Sequence, residues 1–532
     1  MPKNILIPYA ATGAFSHTVL EYLAAAPALS PYYSFAPDKA GITAAIQARS
    51  SRRIDRKTLV EVLRDQYSTL PAQEAVTENI ARLLDENTFT VCTAHQPNLA
   101  TGYLYFVYKI LHAVKLTETL RADFPDRHFV PVYYMGSEDA DLDELGTFRY
   151  GDKKFVWDAD GQKGAVGHMR TASLKPLLDE LFSIMGPPGA GYDALKELLT
   201  EAYLNHDTVA GATQYLVHAL FGQYGLIVLN PDDARLKRAF LPVMRADLLQ
   251  QKAEGIVRQT IESLAGSGFK AQAHPRGINL FYLYGGARQR IAQSGDGIWQ
   301  VVDTDIRFSQ QALEAELEAH PERFSPNVIL RPLYQETILP DVAFIGGGAE
   351  VAYWLQLKGL FEAEDVFYPA IILRQSFLWI NKTAAALHAK TGLSPESLFK
   401  SEDEIMMDLA TASAGIDFSD AAAGMLRLLS DLGQRAIAID PTLERSAGAA
   451  TTKMLYQLEV LEKKAIRAQK KKLGVEAERI SRLKAALFPN GSLQERSENF
   501  IPYYLQYGPD FFDALLAAMP AAYLQQFAVI EM

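Results

Sequence analysis

Short apolar runs alternate with helical segments along this chain, and this alternation restricts its fold more than any other feature of the sequence. The runs occupy residues 89–94, 128–135, 225–230, 342–345 and 367–373. Helical apolar spacing follows several of them, which predicts a parallel sheet covered by helices on both faces. Pro369 has no amide hydrogen for the ladder, so we expect the last strand at an edge of the sheet. The sequence therefore predicts an α/β fold.

The rest of the chain divides into insertions and a C-terminal helical part. The predicted core spans residues 1–385, and mixed patterning at about 150–215 and 240–325 marks these two segments as insertions between core strands. Residues 386–490 form the predicted helical region, and residues 491–532 are expected to return to the core. We therefore expect one large α/β core that carries a helical appendage.

A heptad pattern marks the helical region. Asp440 and Pro441 favour a helix start, because they supply a capping side chain and a proline at the first helical position. Seam positions then recur at alternating spacings of four and three residues: Met454, Leu458, Leu461, Ala465, Ala468, Lys472 and Val475. The seam predicts a coiled coil that forms a homodimer, either directly or as one arm of a helical hairpin, and packing within a hairpin alone stays open as the alternative. Gly474 predicts that the packed stretch fades near the end of the seam.

Charge and cysteine content exclude several classes of protein. Lys and Arg number 52 against 63 Asp and Glu, and the net charge of −11 argues against a dedicated nucleic-acid binder. The single cysteine, Cys92, excludes an intrachain disulfide and a thiolate metal cluster. The apolar runs are too short or too interrupted for a signal peptide or a membrane span. We therefore expect a cytoplasmic protein, and we assign no metal ligands.

Polar groups follow three of the predicted strands, at the edge where the carboxyl ends of parallel strands meet. His95 to Gly102 leads into a helix whose amino end suits a phosphate or a carboxylate. The acidic run after the second strand, which suits a general base or Mg²⁺, contains Glu138, Asp139, Asp141, Asp143 and Glu144. Glycines 346–348 allow a ligand to approach the backbone closely. We expect His95, the carboxylates at 138–141 and Glu350 to line one cleft.

Each of these loops also has a structural interpretation. His95 suits an ordinary turn between a strand and a helix, and the acidic run suits a solvated surface loop. The glycines at 346–348 lack the GxGxxG spacing, and the chain contains no P-loop sequence, so no nucleotide motif is present. The loops by themselves leave both interpretations open.

Five segments in a fixed order resemble those of the bacillithiol-biosynthesis cysteine-adding enzyme family. They read TAHQPNLATGYLYFVYKI, VPVYYMGSEDADLDEL, INLFYLYGGARQRI, LRPLYQETILPDVAFIGGGAEVAYWLQL and SLQERSENF. The resemblance covers residues 90–510, close to the whole chain, and five ordered motifs are far more specific than one. It implies a Rossmann-like core with connecting insertions, related in shape to class I aminoacyl-tRNA synthetases and nucleotidylyltransferases. It also implies a helical coiled coil that dimerises.

The resemblance further implies an activity. The family's members are cysteine ligases that join the carboxyl group of cysteine to the amine of glucosaminyl malate, the last step to the thiol bacillithiol. Cysteine and glucosaminyl malate are therefore the expected substrates. Amide formation from a free carboxylate is uphill in water, so the reaction needs an activated acyl group. We expect ATP or another nucleotide as the cofactor that activates it, with Mg²⁺ as a candidate companion.

Candidate site residues follow from the matching motifs. The catalytic candidates are His95, Glu138, Asp139 and Asp141. The candidates for binding substrate or nucleotide are Gln96, Asn98, Gly102, Tyr103, Asn279, Arg288, Arg331, Glu336, Gly346, Gly347, Glu350 and Tyr353. One position departs from the family, because Ala140 stands where the acidic loop usually reads Glu-Asp-His-Asp. That departure leaves either a neighbour such as His95 to transfer protons or an altered activity.

Two other functions stay open beside the ligase. Ala140 and the long heptad pattern fit a catalytically silent nucleotide-binding or scaffolding homologue whose dimer is the functional part. A class I synthetase-like nucleotidyl transferase that acts on another small acid is the third interpretation. Loss of bacillithiol together with accumulation of glucosaminyl malate in cells that lack the gene would support the ligase alone.

Overall fold

The computed structural model describes residues 3–295, 297–414, 417–520, 523 and 525–532. The strands are β1 Lys3–Ile7, β2 Thr88–His95, β3 His128–Met135, β4 Thr147–Tyr150, β5 Lys153–Val156, β6 Ile227–Leu229, β7 Leu280–Tyr284, β8 Ala287–Gln293, β9 Trp299–Val301, β10 Arg307–Phe308, β11 Phe324–Pro326, β12 Asp341–Gly346, β13 Ala370–Leu373, β14 Phe377–Ile380 and β15 Phe527–Glu531. They form three larger sheets and one hairpin.

Helices connect and cover these sheets. They are α1 His17–Leu23, α2 Lys39–Arg49, α3 Arg56–Tyr67, α4 Glu74–Arg82, α5 Leu104–Asp123, α6 Leu142–Leu145, α7 Lys175–Ile184, α8 Ala190–Leu204, α9 Val209–Phe221, α10 Ala234–Ala239, α11 Leu241–Gln250, α12 Lys252–Gly266, α13 Gln310–Ala319, α14 Arg331–Ile338, α15 Gly348–Leu355, α16 Lys358–Ala363, α17 Lys382–Ala389, α18 Glu402–Ala414, α19 Ser419–Ile439, α20 Glu444–Lys470, α21 Gly474–Leu487, α22 Ile501–Tyr507 and α23 Asp510–Ala518. Within the described residues, no helix combines the length and the apolar character needed to cross a bilayer.

The core is a five-stranded parallel sheet in the order β13-β12-β2-β3-β6. In chain order this is the 3-2-1-4-5 arrangement of a Rossmann fold, so the winding reverses between β2 and β12. Strand β13 lies at an edge, which confirms the position predicted from Pro369. The predicted α/β class with a Rossmann-like parallel core is therefore confirmed.

Both faces of this sheet are buried, which explains its continuous apolar runs. Successive side chains of a strand point to opposite faces. Phe89 and Val91 accordingly pack in one cluster with Leu116 of α5, whereas Cys92 and Val132 pack in another cluster on the opposite face. The sheet is thus a rigid support for the loops that leave its carboxyl edge.

Two long insertions separate the core strands. The chain leaves the sheet at Met135 and returns at Ile227, and in between it forms the β4–β5 hairpin and helices α6 to α9. It leaves again at Leu229 and returns at Asp341. The second insertion contains a five-stranded antiparallel sheet in the order β10-β9-β8-β7-β11. Both insertions emerge on the side of the sheet where its strands end.

The described C-terminal part packs back onto the core through a third sheet. Strand β15 lies between β1 and β14, antiparallel to β1 and parallel to β14. Just before α22, Glu495 forms a buried ion pair with Arg374, which directly follows β13. The segment 491–532 is therefore in contact with the end of the parallel sheet.

The helical appendage is a hairpin of α19 and α20. A 3₁₀ turn, Pro441–Leu443, joins the two helices, and the Asp440 side chain accepts a hydrogen bond of 2.9 Å from the Thr442 amide. The predicted seam is interrupted, because α20 ends at Lys470 and α21 begins at Gly474. Neither α19 nor α20 has a fully buried residue. The hairpin therefore carries apolar side chains that the described part of the chain leaves uncovered.

Candidate active site

A cavity of about 670 Å³ opens at the carboxyl edge of the parallel sheet, where the winding reverses; we call it the edge cavity. Residues from the ends of β2, β3 and β12, from the second insertion and from the C-terminal part line it. The predicted site residues that it brings together are His95, Gln96, Glu138, Asp139, Arg288, Arg331, Gly347, Glu350 and Tyr353. His95, the start of the acidic run and Glu350 therefore share one cleft, as the strand pattern predicts.

His95 is the last residue of β2, and its ring is held at the floor of the edge cavity. Nδ1 lies 2.6 Å from Oε1 of Gln96, and the ring packs against Tyr105 and Phe106 at 5.3 and 5.4 Å between centroids. Burial, reinforced by the nearby Lys109 charge, lowers the pKa of His95 to about 3. The ring is therefore neutral at physiological pH. Among the described residues its Nε2 has no hydrogen-bond partner, which leaves it available to a substrate atom.

When the pH is lowered, the free energy of unfolding should fall more in the unmodified chain than in a His95→Gln variant. In the unfolded chain histidine has a pKa of about 6.5, whereas His95 has a folded-state pKa of about 3. Below pH ~6.5 the unfolded state therefore binds a proton that the folded state does not, so stability falls as the pH falls. Urea denaturation at pH ~7 and ~5 measures this difference. Equal pH dependence in both proteins would contradict it, and His17→Gln, which removes an exposed histidine, is the matched control.

Asp139 is tied to His95 through Gln96. The Gln96 side-chain amide donates a 3.0 Å hydrogen bond to Oδ2 of Asp139, and the amide of Asp141 donates one of 3.3 Å to Oδ1. The carboxylate is only partly buried and it lines the edge cavity. It is fixed in orientation and open to a ligand, which is the arrangement that a general base requires.

Glu138 also lines the edge cavity, but it already has a partner. It pairs with the buried Lys237 ammonium, which also donates 3.0 Å hydrogen bonds to the carbonyl oxygens of Glu322 and Phe324. Burial acts to lower the pKa of Lys237, but the charges of Glu138 and Asp232 outweigh it and raise that pKa. Lys237 therefore stays protonated, and Glu138 serves as its counter-charge rather than as a free base.

Glu350 and the buried Lys109 form a second ion pair, and both residues line the edge cavity. Lys109 also donates a 2.8 Å hydrogen bond to the carbonyl of Ala94, and Glu350 accepts one of 2.7 Å from the Gly347 amide. Burial lowers the pKa of Lys109, and the Glu350 carboxylate opposes that effect. The pair thus fixes the amino end of α15 against the end of β2.

Two arginines of the predicted set present their guanidinium groups to the same space. Arg331 donates a 2.9 Å hydrogen bond to the Tyr353 hydroxyl and lies 5.5 Å from the ring centre of Tyr134. Arg288 lies 3.9 Å from the ring centre of Phe281 and donates a 3.0 Å hydrogen bond to the Ser325 hydroxyl. Among the described residues neither guanidinium forms a direct ion pair, although Glu138 and Asp139 act on Arg288, and Glu350 on Arg331, at longer range.

Asp141 does not reach the edge cavity, in contrast to the sequence prediction. It is exposed, and its Oδ1 accepts a 3.1 Å hydrogen bond from the amide of Glu144. Asp141 is therefore the N-cap of the short helix α6, and this capping role explains an acidic residue at the position. Ala140 is likewise absent from the cavity lining.

Glu336 lies at the opposite edge of the sheet. It belongs to α14, which precedes β12, so it lies beside Asp341 at the amino end of that strand. Gln335 donates hydrogen bonds of 2.8 Å to Glu336 and 3.2 Å to Asp341, and all three side chains are buried. The prediction that Glu336 binds substrate is therefore wrong for this cavity.

Five other predicted binding residues support the site without lining it. Asn279 is buried against Asp247, which accepts hydrogen bonds from its backbone amide at 2.6 Å and from its side chain at 3.0 Å. Gly102 has a φ of +66°, and a Cβ there would approach the Asn98 side chain to 3.0 Å. The residues outside the lining are Asn98, Gly102, Tyr103, Asn279 and Gly346. They shape the turns around the cavity, and the sequence prediction did not separate this role from ligand contact.

Sequence reasoning missed several charged groups of the site. Lys109 lies within the mostly apolar sequence of α5. A lysine in such a run is seldom buried without a partner, so its position could have indicated a site residue. Arg374 directly follows a strand of the parallel sheet, so the same edge rule could have found it. Lys237, Arg276 and Arg496 come from an insertion or from the C-terminal part, and only the folded chain brings them here.

The strand order and the helical appendage define the chain as a Rossmann-like protein with a cavity at the carboxyl edge of its parallel sheet. Comparison with known families identifies it further. Residues 3–375 match the description "Bacillithiol biosynthesis BshC, N-terminal Rossmann-like domain", and residues 377–532 match "Bacillithiol biosynthesis BshC, C-terminal coiled-coil domain". The chain therefore belongs to the BshC family of bacillithiol biosynthesis.

Curated relatives agree over nearly the whole length. Proteins named "Putative cysteine ligase BshC" from Christiangramia forsetii and Flavobacterium johnsoniae are 39% and 37% identical, and each alignment covers 97% of both chains. A protein of the same name from Cytophaga hutchinsonii is 39% identical over 92% of both chains. The resemblance seen in the five sequence motifs is thus confirmed at the level of the family.

Proposed function

We propose that this protein is a ligase that joins the carboxyl group of L-cysteine to the amine of glucosaminyl malate, in the last step of bacillithiol synthesis. The observation that carries this proposal is the edge cavity, in which Gln96 links a fixed carboxylate, Asp139, to the neutral His95, whose Nε2 has no hydrogen-bond partner among the described residues. A volume of about 670 Å³ lies within the range of small-molecule sites. We also propose that the protein works in the cytoplasm, in keeping with its family's role in biosynthesis.

The reaction would form one carbon–nitrogen amide bond and break the bond between the activated acyl carbon and the oxygen of its phosphate leaving group, which departs with the bonding electrons. The amine must lose a proton as it attacks the acyl carbon, and Asp139, held by Gln96, is the group placed to accept it. The neutral His95 ring offers a donor or an acceptor at Nε2, according to which nitrogen carries the hydrogen. Holding both reactants in one cavity supplies much of the remaining rate enhancement.

A nucleotide would supply the activation of the cysteine carboxyl group. The cavity lining suits its phosphates, because it contains Gly348 and Ala349 from the first turn of α15 and also Arg331, which donates a hydrogen bond to Tyr353 of the same helix. Within the described residues, no three His, Cys, Asp or Glu side chains form a metal cluster. A Mg²⁺ ion would therefore depend on nucleotide phosphates and water for most of its ligands.

The direct test is a reconstitution with the purified chain. L-cysteine, glucosaminyl malate and ATP are supplied together, and each is omitted in turn, while mass spectrometry follows bacillithiol. Product that requires all three supports the ligase. Nucleotide turnover with another small acid, and no bacillithiol, would instead indicate a nucleotidyl transferase, and ligand binding without any turnover would indicate a silent homologue.

We also propose that the α19–α20 hairpin forms a homodimer. Met454 and Leu461, seven residues apart on one face of α20, are 49% and 55% exposed, and Ile439 at the end of α19 is 84% exposed. Leu458 is only half-buried, so the hairpin covers just part of the predicted seam. A second copy of the chain would cover the apolar side chains that the hairpin leaves exposed, because large exposed apolar surfaces commonly mark protein–protein interfaces.

Changing Met454 and Leu461 together to glutamate should convert a dimer into a monomer while the core stays folded. The exposed positions face away from the hairpin's own packing, so the charges should disrupt association rather than the hairpin. Sedimentation velocity measures the mass of the particle, and circular dichroism checks the fold. A monomeric unmodified chain at high micromolar concentration would contradict the dimer, and Lys453→Glu, an exposed neighbour, is the control for added negative charge.

A further inference from the structure

Arg496 reaches the edge cavity from the C-terminal part of the chain. It ends a 3₁₀ turn, Gln494–Arg496, whose other residues are fixed to the core. The Gln494 side chain accepts a 2.8 Å hydrogen bond from the Trp379 amide and donates one of 3.0 Å to its carbonyl. Glu495 accepts two hydrogen bonds, of 2.6 and 2.9 Å, from Arg374. The backbone that carries Arg496 is therefore held rigidly at the rim of the cavity.

The Arg496 side chain itself is exposed, and among the described residues it has neither a hydrogen-bond nor an ion-pair partner. Arg374 and Lys109, by contrast, are each paired with a carboxylate. The cationic side chains that line the edge cavity are Lys109, Arg276, Arg288, Arg331, Arg374 and Arg496. The carboxylates that line it are fewer: Glu138, Asp139, Glu144 and Glu350. A cationic surplus in a chain of net charge −11 indicates a site for an anion.

We propose that Arg496 binds an anionic oxygen group of the substrates, so that the C-terminal part contributes directly to the site at the end of the Rossmann-like sheet. A planar guanidinium pairs with two oxygens at once, and both a carboxylate and a phosphate offer them. The inference rests on the proposed function for its two sources of such a group, the malate part of the acceptor and the nucleotide. Arg496 is then a residue that determines specificity, whereas Glu495 and Gln494 position it.

Calorimetric titration of the full-length chain with L-malate and, separately, with ADP tests this assignment. Arg496→Gln should weaken the binding of one ligand by about 10- to 100-fold, the range of a hydrogen bond to a charged group. Arg496→Lys keeps the positive charge but loses the planar guanidinium that can bind two oxygens at once. It should therefore weaken binding less than Arg496→Gln does. Arg482→Gln removes an exposed arginine from α21, outside the cavity lining, and is the matched control.

The two titrations separate the possible sources of the anion. A loss confined to L-malate places the malate carboxylates at Arg496, and a loss confined to ADP places a phosphate there. Unchanged binding of both ligands in Arg496→Gln would overturn the inference, as would failure of both ligands to bind the unmodified chain. Because these measurements need no turnover, they remain decisive if the reconstituted ligase reaction fails.

Kinetics supply a second readout if the ligase reaction proceeds. Loss of a binding contact should raise the KM of one substrate by about 10-fold or more, and kcat should change less. A fall in kcat with an unchanged KM for every substrate would contradict a binding role. The circular dichroism spectrum should be unchanged, because the Arg496 side chain makes no contact that the fold requires.

Discussion

Asp139→Asn should lower turnover by about 100-fold or more, because it removes the carboxylate that is placed to accept the amine proton. The amide is nearly isosteric and still offers an oxygen to Gln96, so the fold should be retained. The measurement is kcat in the reconstituted ligase reaction, with circular dichroism as the check on folding. Turnover within a few-fold of the unmodified chain would exclude Asp139 as the base.

The matched control is Asp141→Asn, two residues along the same loop. Asp141 is exposed and caps α6, and asparagine caps helices about as well as aspartate. We therefore expect turnover and stability close to those of the unmodified chain. This pair separates the cavity carboxylate from the capping carboxylate. A large loss in Asp141→Asn would show that the acidic run acts in another arrangement.

Glu495→Gln should destabilise the folded chain by about 3–5 kcal/mol. Glu495 is fully buried and holds Arg374, so the substitution leaves a buried guanidinium without its counter-charge. Burial acts to lower the pKa of Arg374, but Glu495 outweighs it and keeps that pKa raised. Urea denaturation, followed by circular dichroism and fluorescence, measures the change.

Two further variants test whether the loss of stability in Glu495→Gln comes from the unpaired buried charge of Arg374. Glu478→Gln removes an exposed carboxylate from α21 and should change stability by less than about 0.5 kcal/mol. Replacing Arg374 and Glu495 together with methionine should recover part of the stability, because neither charge is then buried alone. A Glu495→Gln variant within about 1 kcal/mol of the unmodified chain would show that water or another group compensates Arg374.

Local patterns predict the parallel core well, because a buried strand must be apolar on both faces. The runs around Val91, Val132 and Phe344 therefore mark three of its strands, and the edge rule then places His95 and Glu350 in one cleft. Spacing alone does not say which of two nearby carboxylates turns inward. Asp139 lines the cavity and Asp141 caps a helix, although both lie in the same motif.

Other parts of the site depend on contacts between distant segments. Arg374 and Glu495 are 121 residues apart, and Lys237 and Glu138 are 99 residues apart. No local periodicity encodes such pairs, since each partner lies in an ordinary pattern of its own. Glu336 was predicted to bind substrate because it lies in a motif shared with the family. A motif match does not show at which end of the sheet a residue lies, and Glu336 lies at the amino end.

The buried pair of Arg374 and Glu495 has a consequence for how the chain is made. Translation delivers all five strands of the parallel sheet, up to Leu373, well before Glu495 leaves the ribosome. Until then Arg374, at the edge of the nascent sheet, lacks the carboxylate with which it forms its buried ion pair. Residues 3–375 and 377–532 match separate family domains, yet the first cannot reach its full stability before the second docks. The stabilities of the two domains are therefore coupled through this pair, and a chain released early would lack both Glu495 and Arg496.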